Sequence, residues 1–329
     1  TGIDLIETDD AYLVKGSQFE ASFSKQQGTI SSYTLNELPM ISKELELNAF
    51  RAPTDNDKQV DGDWYQKGLY QMTLEPGHWN VRKEDNKVTL QIENLYRGKT
   101  GFDYRTNIEY TVAADGSILV NSTIIPSTKG VIIPRIGYRM ELPEGFERMR
   151  WYGRGPLENY VDRKDATYVG VYDELVSDQW VNYVRAQEMG NREDLRWISI
   201  TNPDGIGFVF IAGDKMSASA LHATAQDMVD SANHRRLLHK YEVPMRKETV
   251  LCLDANQRPL GNASCGPGPM QKYELRSQPT VFSFIIPYRW ANFKLPAKPA
   301  GGLYQRVSSW KTALLSSSFH CIVFSSRVM

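Results

Sequence analysis

The chain has 329 residues and a formal net charge of −1, from 38 Lys and Arg against 39 Asp and Glu. With 41% apolar and 23% charged residues it has the composition of a globular protein, and it lacks the basic excess of a general nucleic-acid binder. No apolar run approaches the roughly 18 residues of a membrane-spanning helix, and Cys252, Cys265 and Cys321 form neither a disulfide framework nor a CxxC metal pattern.

No signal peptide is evident. The chain opens on Thr1, so that absence carries no information on compartment. A soluble protein is expected, with cytoplasm and periplasm both open.

In chain order, the first segment with helical patterning is Asp63 to Leu74, and it is short. Alternation then dominates. Val88 to Ile92 alternates, and Phe102, Tyr104, Thr106, Ile108, Tyr110 and Val112 fall at period two. Asp115-Gly116 supplies a tight turn, and the alternation resumes at Ile118, Val120, Ser122 and Ile124. Ile136 to Leu142 reads as another strand. Trp197 to Ile200 and Gly207 to Ala212 flank the turn Asn202-Pro-Asp-Gly205 and make a second hairpin. Val250 to Leu253 and Val281 to Ile286 read as buried strands.

At least a dozen strands with close turns predict an all-β fold, a large antiparallel β-sandwich. No linker divides the first 290 residues, so one domain over 1–290 is expected, followed by a basic, Ser-rich tail over 291–329. The charge supports that division. Residues 1–274 carry a net −8, and 275–329, without any Asp or Glu, carry +7.

Three segments are too irregular for plain strands. Arg51-Ala-Pro-Thr-Asp-Asn-Asp57 breaks a strand with proline and follows it with three polar side chains. It reads as a polar site loop or as a network of Asx turns bonding its own backbone. Trp151-Tyr-Gly-Arg-Gly-Pro-Leu-Glu-Asn-Tyr-Val-Asp-Arg163 offers aromatic rings and ion-pairing groups, for a site or for a core. Gln187-Glu-Met-Gly-Asn-Arg-Glu-Asp194 clusters Glu188, Glu193 and Asp194. These invite a two-carboxylate glycosidase reading, which needs a separation of about 5–5.5 Å for retention or about 6.5–9.5 Å for inversion. The alternative is a hydrogen-bonded loop. No HExxH and no GxSxG is present, so neither a zinc site nor a nucleophile elbow is supported.

In this order the segments resemble the C-terminal small-chain domain of glycoside hydrolase family 2 β-galactosidases. Arg51 to Asp57 is similar to that family's RAPxDND motif, and Trp151 to Arg163 to its W-Y-G-x-G-P-x-E-N-Y-x-D-R motif. Tyr183 to Arg192 is similar to Y-x-x-P-Q-E-x-G-N-R, with Ala186 in place of the proline. Leu260-Gly-Asn-Ala-Ser-Cys-Gly-Pro267 resembles the late G-x-x-S-[WC]-G-P element.

The resemblance implies a supersandwich of galactose mutarotase-like fold that completes the sugar pocket of a retaining β-galactosidase. It places both catalytic glutamates in an upstream barrel outside this chain. Substrate-facing candidates carried over from the motifs are Arg51, Asp55, Asn56, Asp57, Trp64, Arg154, Glu158, Asn159, Glu188, Asn191, Arg192 and Cys265. Cys265 stands where some members stack a tryptophan on the sugar. Implied partners are a galactoside and the remaining domains of the enzyme, with no nucleic acid and no membrane. No cofactor is expected in this chain, although whole enzymes of the family often use Mg or Na ions. Two other classes fit the same fold. One is a free-standing sugar epimerase, which needs a general acid and base in one cleft. The other is a carbohydrate-binding module using exposed rings such as Trp64 or Trp151.

Overall fold

The computed structural model describes residues 2–234 and 236–287. The domain limit at 290, the 291–329 tail and Cys321 lie outside them. The chain begins with a five-stranded antiparallel meander: β1 (Asp4–Glu7), β2 (Ala11–Lys15), β3 (Phe19–Ser24), β4 (Thr29–Leu35) and β5 (Leu38–Pro39). Strand β6 (Lys43–Asn48) follows, then the single α-helix among the described residues, α1 (Asp61–Gln66). The helix begins before the predicted span and stops well short of it. Gly68 takes φ +78° just beyond its end, so the apolar residues Leu69 and Leu74 fall outside it.

The remaining strands are β7 (Thr73–Glu75), β8 (Asn80–Glu84), β9 (Lys87–Arg97), β10 (Asp103–Ala113), β11 (Ile118–Pro126), β12 (Arg135–Leu142), β13 (Arg148–Gly155), β14 (Tyr168–Leu175), β15 (Arg192–Thr201), β16 (Gly207–Leu221), β17 (Thr249–Gln257) and β18 (Thr280–Ile286). With β6 they make one thirteen-stranded antiparallel sheet. The predicted strands lie within these elements except for Phe102, one residue before β10, and the Asp115-Gly116 turn closes β10 on β11 with Gly116 at φ +91°.

Alternation explains the layers. Val88, Leu90 and Ile92 of β9 sit opposite Val112, Tyr110 and Ile108 of β10. Val120 and Ser122 of β11 continue the row to Phe284 and Phe282 of β18. All these side chains are buried, so the sheet has one continuous apolar face. Two layers cover that face. The meander lays Phe23 against Tyr110, with ring centroids 5.0 Å apart. Tyr33 donates its hydroxyl to the Gly116 carbonyl at 3.0 Å.

The second cover comes from the same sheet. Strand β16 pairs with β15 from Gly207 to Ala218 on one edge and, on the other, with β18 at Ile211 and Ala212 and then with β17 from Ser217 onward, so it links the two parts of the sheet. The ribbon β17–β12–β6 then lies over β11 and β18. Tyr138 of β12 stacks on Phe282 at 6.4 Å and shares a short hydrogen bond with the Ser122 hydroxyl. The architecture is therefore the antiparallel sandwich expected from the alternation. The segments 49–60, 155–167, 180–191 and 258–279 all leave strands at one end of it.

Phe23 is fully buried between the layers, touching Tyr110 and Trp79. Phe23→Ala is expected to lower the unfolding free energy by about 3–5 kcal/mol, read from urea denaturation.

Candidate functional site

The first irregular segment is organised from beneath. Arg51 is fully buried and forks onto the Asp57 carboxylate at 3.1 and 2.8 Å. Its other bonds go to the carbonyls of Arg258 (2.6 Å) and Pro259 (3.1 Å). Asp57 also accepts the Thr54 N–H at 2.8 Å and hydroxyl at 3.0 Å, which closes a short 3-10 turn over Asp55–Asp57. Arg258 reaches the same carboxylate at 2.5 Å and forks onto Glu274 at 2.9 and 3.2 Å. Two guanidiniums and two carboxylates thus balance in a water-excluded cluster. Both guanidiniums lie about 6 Å from the ring centroid of Trp64 (5.9 and 6.0 Å).

This geometry corrects the carried-over candidates. Arg51, Asp57 and Trp64 face inward, and Trp64 is 0% exposed with its Nε1–H on the Ile132 carbonyl. Trp151 is equally buried, stacked on Tyr172 at 5.2 Å with the Arg192 guanidinium 5.0 Å from its ring centroid. Neither tryptophan offers a face to a sugar. Core packing and internal pairing take precedence, because an uncovered indole and an unpaired guanidinium both cost more than a site loop recovers.

The second and third segments are stitched together by asparagines. The Asn159 N–H bonds the Asn191 carbonyl, and the Asn191 side-chain amide bonds the Asn159 carbonyl, both at 2.8 Å. Asn159 Oδ1 in turn accepts the Glu193 N–H at 2.9 Å. Asparagine suits this exchange because its side chain both donates and accepts. Both asparagines are fully buried, so neither reaches outward. Glu158 caps the junction, accepting the Gly190 N–H at 2.7 Å and a short hydrogen bond from the Tyr183 hydroxyl. Gly190 sits at φ +77°, which a side chain would strain. Arg154 is bound to Asp194 at 2.6 Å and to the Lys164 and Thr167 carbonyls. Arg192 donates to Gln179 at 2.6 Å, and burial lowers its pKa.

Glu188 also faces inward. Its Oε2 lies 3.4 Å from Arg135, whose guanidinium forks onto Asp254 at 3.2 and 2.6 Å. Its backbone N–H bonds the Ala52 carbonyl at 3.0 Å, joining the first and third segments. Burial pushes the Asp254 carboxyl up to about 7, against the pull of Arg135. Burial likewise raises Glu193. Tyr160, enclosed among these groups, is held well above the usual tyrosine value by burial, with Glu188 and Glu158 adding to the effect.

The late loop is clamped from three positions. Asp162 accepts the N–H groups of Leu260 (3.0 Å) and Gly261 (2.8 Å). Arg163 donates to the Gly261 carbonyl at 2.6 Å and to Asn262 at 3.0 Å. Asn56 donates to the Gly261 carbonyl (3.0 Å) and accepts the Ser264 N–H (2.9 Å). The result is a fixed rim on which Asp55 and Cys265 are exposed and Asn56 and Glu158 are partly so. Its supports Arg258, Glu274, Arg135 and Asp254 stand alone in sequence. The only local signal is a charge that ends or interrupts an apolar strand, as Asp254 does after Val250–Leu253.

Among the described residues, no group of three or more His, Cys, Asp and Glu side chains is placed to hold a metal ion. No described helix is long and apolar enough to cross a membrane.

A family model described as "Beta galactosidase small chain" matches residues 15–286, and the chain belongs to that family. It is 26% identical over 292 residues to a β-galactosidase of Staphylococcus xylosus, covering 88% of this chain and 28% of that enzyme. It is 31% identical over 269 residues to β-galactosidase BgaC of Bifidobacterium adolescentis, covering 80% of this chain and 25% of that enzyme. The chain thus spans about a quarter of the length of these relatives. Among solved structures, a putative aldose 1-epimerase from Escherichia coli K12 aligns over 85% of this chain and 99% of its own, with 11% identity and a TM-score of 0.44.

Asp57→Ala leaves Arg51 and Arg258 buried without their shared counter-charge and is expected to cost about 3–5 kcal/mol in chemical denaturation. Asp55→Ala, two residues away but exposed, is expected to stay within about 0.5 kcal/mol. Asp254 gives a pH signature. Folded, it keeps its proton up to about pH 7, whereas the unfolded chain releases it near about pH 4. Its contribution to stability is full below about pH 4 and is lost as pH rises through about 7. Unfolding free energy measured across pH 4–8 is expected to show this decline relative to Asp254→Asn.

Proposed function

We propose that this chain is the part of a retaining β-galactosidase of glycoside hydrolase family 2 that closes one side of the sugar pocket. The catalytic carboxylates would be supplied by the rest of the enzyme. The observation that carries the reading is the rim itself. The four motif segments interlock through buried pairs, and Asp55, Asn56, Glu158 and Cys265 remain at the surface. Retaining hydrolysis needs two accessible carboxyls about 5–5.5 Å apart, one as acid/base and one as nucleophile. The acids of the third segment do not suit that task. Glu188 is buried against Arg135, and Glu193 and Asp194 are tied to Lys164 at 3.4 and 3.2 Å.

The contribution of this chain is positional. Hydrogen-bonding groups held in one geometry before substrate arrives lose little freedom on binding, and that lowers the cost of reaching the transition state. Asp55 and Asn56 have the chemistry to bond sugar hydroxyls. Cys265 offers a small, polarizable contact in place of a ring.

A sugar epimerase would need a free acid and base. Among the described residues, His222 pairs with an acid, at 2.7 Å from Glu147, but its other ring nitrogen is held by the Glu248 carbonyl at 3.0 Å.

Two measurements test the proposal. The 329-residue chain alone is expected to show no turnover of an aryl β-galactoside. Activity abolished by replacing one of its own acids would overturn the reading. In the longer polypeptide, Asn56→Ala is expected to raise KM for the galactoside about tenfold, equivalent to about 1.4 kcal/mol, while kcat falls less. An unchanged KM would sink the rim assignment.

A further inference from the structure

A cavity lies apart from the rim. It is a cleft of about 440 Å³ running along β6, and none of Asp55, Asn56, Glu158 or Cys265 lines it. In the sheet, β6 pairs with β12 alone, so its other edge faces this space. The volume falls in the range of about 300–1,000 Å³ usual for small-molecule sites. We propose that the cleft is a second carbohydrate site, for a neutral mono- or disaccharide.

The charges in the lining turn away an anionic occupant. Arg139 grips Glu46 at 2.9 and 2.5 Å, and Lys43 meets the same carboxylate at 3.2 Å. Arg246 is taken by Asp227 at 2.5 Å and by Glu141 at 3.2 Å. These cations are already paired, so an anionic ligand would have to break an existing ion pair to bind, and Glu44, a further acid in the lining, would repel it.

The rest of the lining mixes rings with amides. Tyr70 stands in the wall, supported by Phe50 at 5.3 Å and by a stacked His234 at 4.2 Å. A ring braced in this way suits the C–H face of a sugar. Gln71 is exposed and Gln27 partly so, and both bring side-chain amides to the cleft. Amides both donate and accept, as sugar hydroxyls do.

A buried acceptor next to the cleft calls for a hydrogen-bond donor. A smaller pocket of about 20 Å³ shares Asn48, Arg139 and Thr224 with the cleft and is also lined by Glu188. Glu188 is buried, with its side chain 6% exposed, and its Oε1 has no hydrogen-bond partner. A buried acceptor of this kind requires a donor, and the space holds about one water. A hydroxyl-rich ligand in the cleft, with that water beyond it, would satisfy the acceptor.

The test uses the 329-residue chain and saturation-transfer NMR with methyl β-D-galactopyranoside, lactose and galacturonate as probes. Transfer to the neutral sugars is expected, with half-saturation in the millimolar range and a weaker signal from galacturonate. Gln71→Trp, a surface change that fills the cleft, is expected to raise half-saturation at least about tenfold. Asn56→Ala is expected to leave it unchanged, which separates this site from the rim. Thermal melts check that both variants fold. Absent transfer, transfer that survives Gln71→Trp, loss with Asn56→Ala, or equal binding of galacturonate would each overturn the proposal.

Discussion

The Asp57 carboxylate, shared between Arg51 and Arg258, is the constraint on which the rest of this surface depends. The two arginines are far apart in sequence, one in the loop after β6 and one just past β17, and both are buried. A buried ion cluster is stable only when every charge is matched and nearly every donor is used. Meeting that condition fixes where the chain runs. Arg51 draws the 258–259 backbone inward through its carbonyl bonds, and Asp57 folds the preceding turn onto itself. Asp55 and Asn56 are then turned toward solvent because their neighbour is turned away from it.

From that centre, order spreads by backbone capture more than by packing. Asp162 chelates two N–H groups of the late loop, Asn56 grips it from the other side, and the Asn159–Asn191 exchange locks the second segment to the third. Loops carry unpaired backbone groups that must find partners once buried. Here the partners are side chains from other loops. Four irregular segments therefore behave as one stiff rim on a β scaffold, which suits a surface whose task is to hold geometry.

Much of the scaffold was legible from period-two patterning, because the inner face of a sheet must be apolar at every second residue. The strands from Val88 to Ile124 and the two hairpin turns follow directly. The helix was misplaced, since apolar spacing from Asp63 to Leu74 says nothing of where a glycine will end it. At the site, the motif segments marked where irregular, polar structure would fall. They did not show which members point outward. Trp64, Trp151, Asn159, Asn191 and Glu188 all turn inward, and the isolated supports Arg135, Asp254, Arg258 and Glu274 carry no motif of their own.

By itself, then, the sequence determined the all-β class, the antiparallel turns and the resemblance to a small-chain family, because each rests on local periodicity or on residues adjacent in the chain. The opening charge balance is part of this: an acidic body over residues 1–274 and a basic remainder sum to a near-neutral whole. The tertiary structure decided which side of each loop meets water, which charges cancel, and where an open cleft remains. Those outcomes depend on neighbours as much as 208 residues away, as with Arg51 and the Pro259 carbonyl, and burial is a property of the assembled chain rather than of any segment.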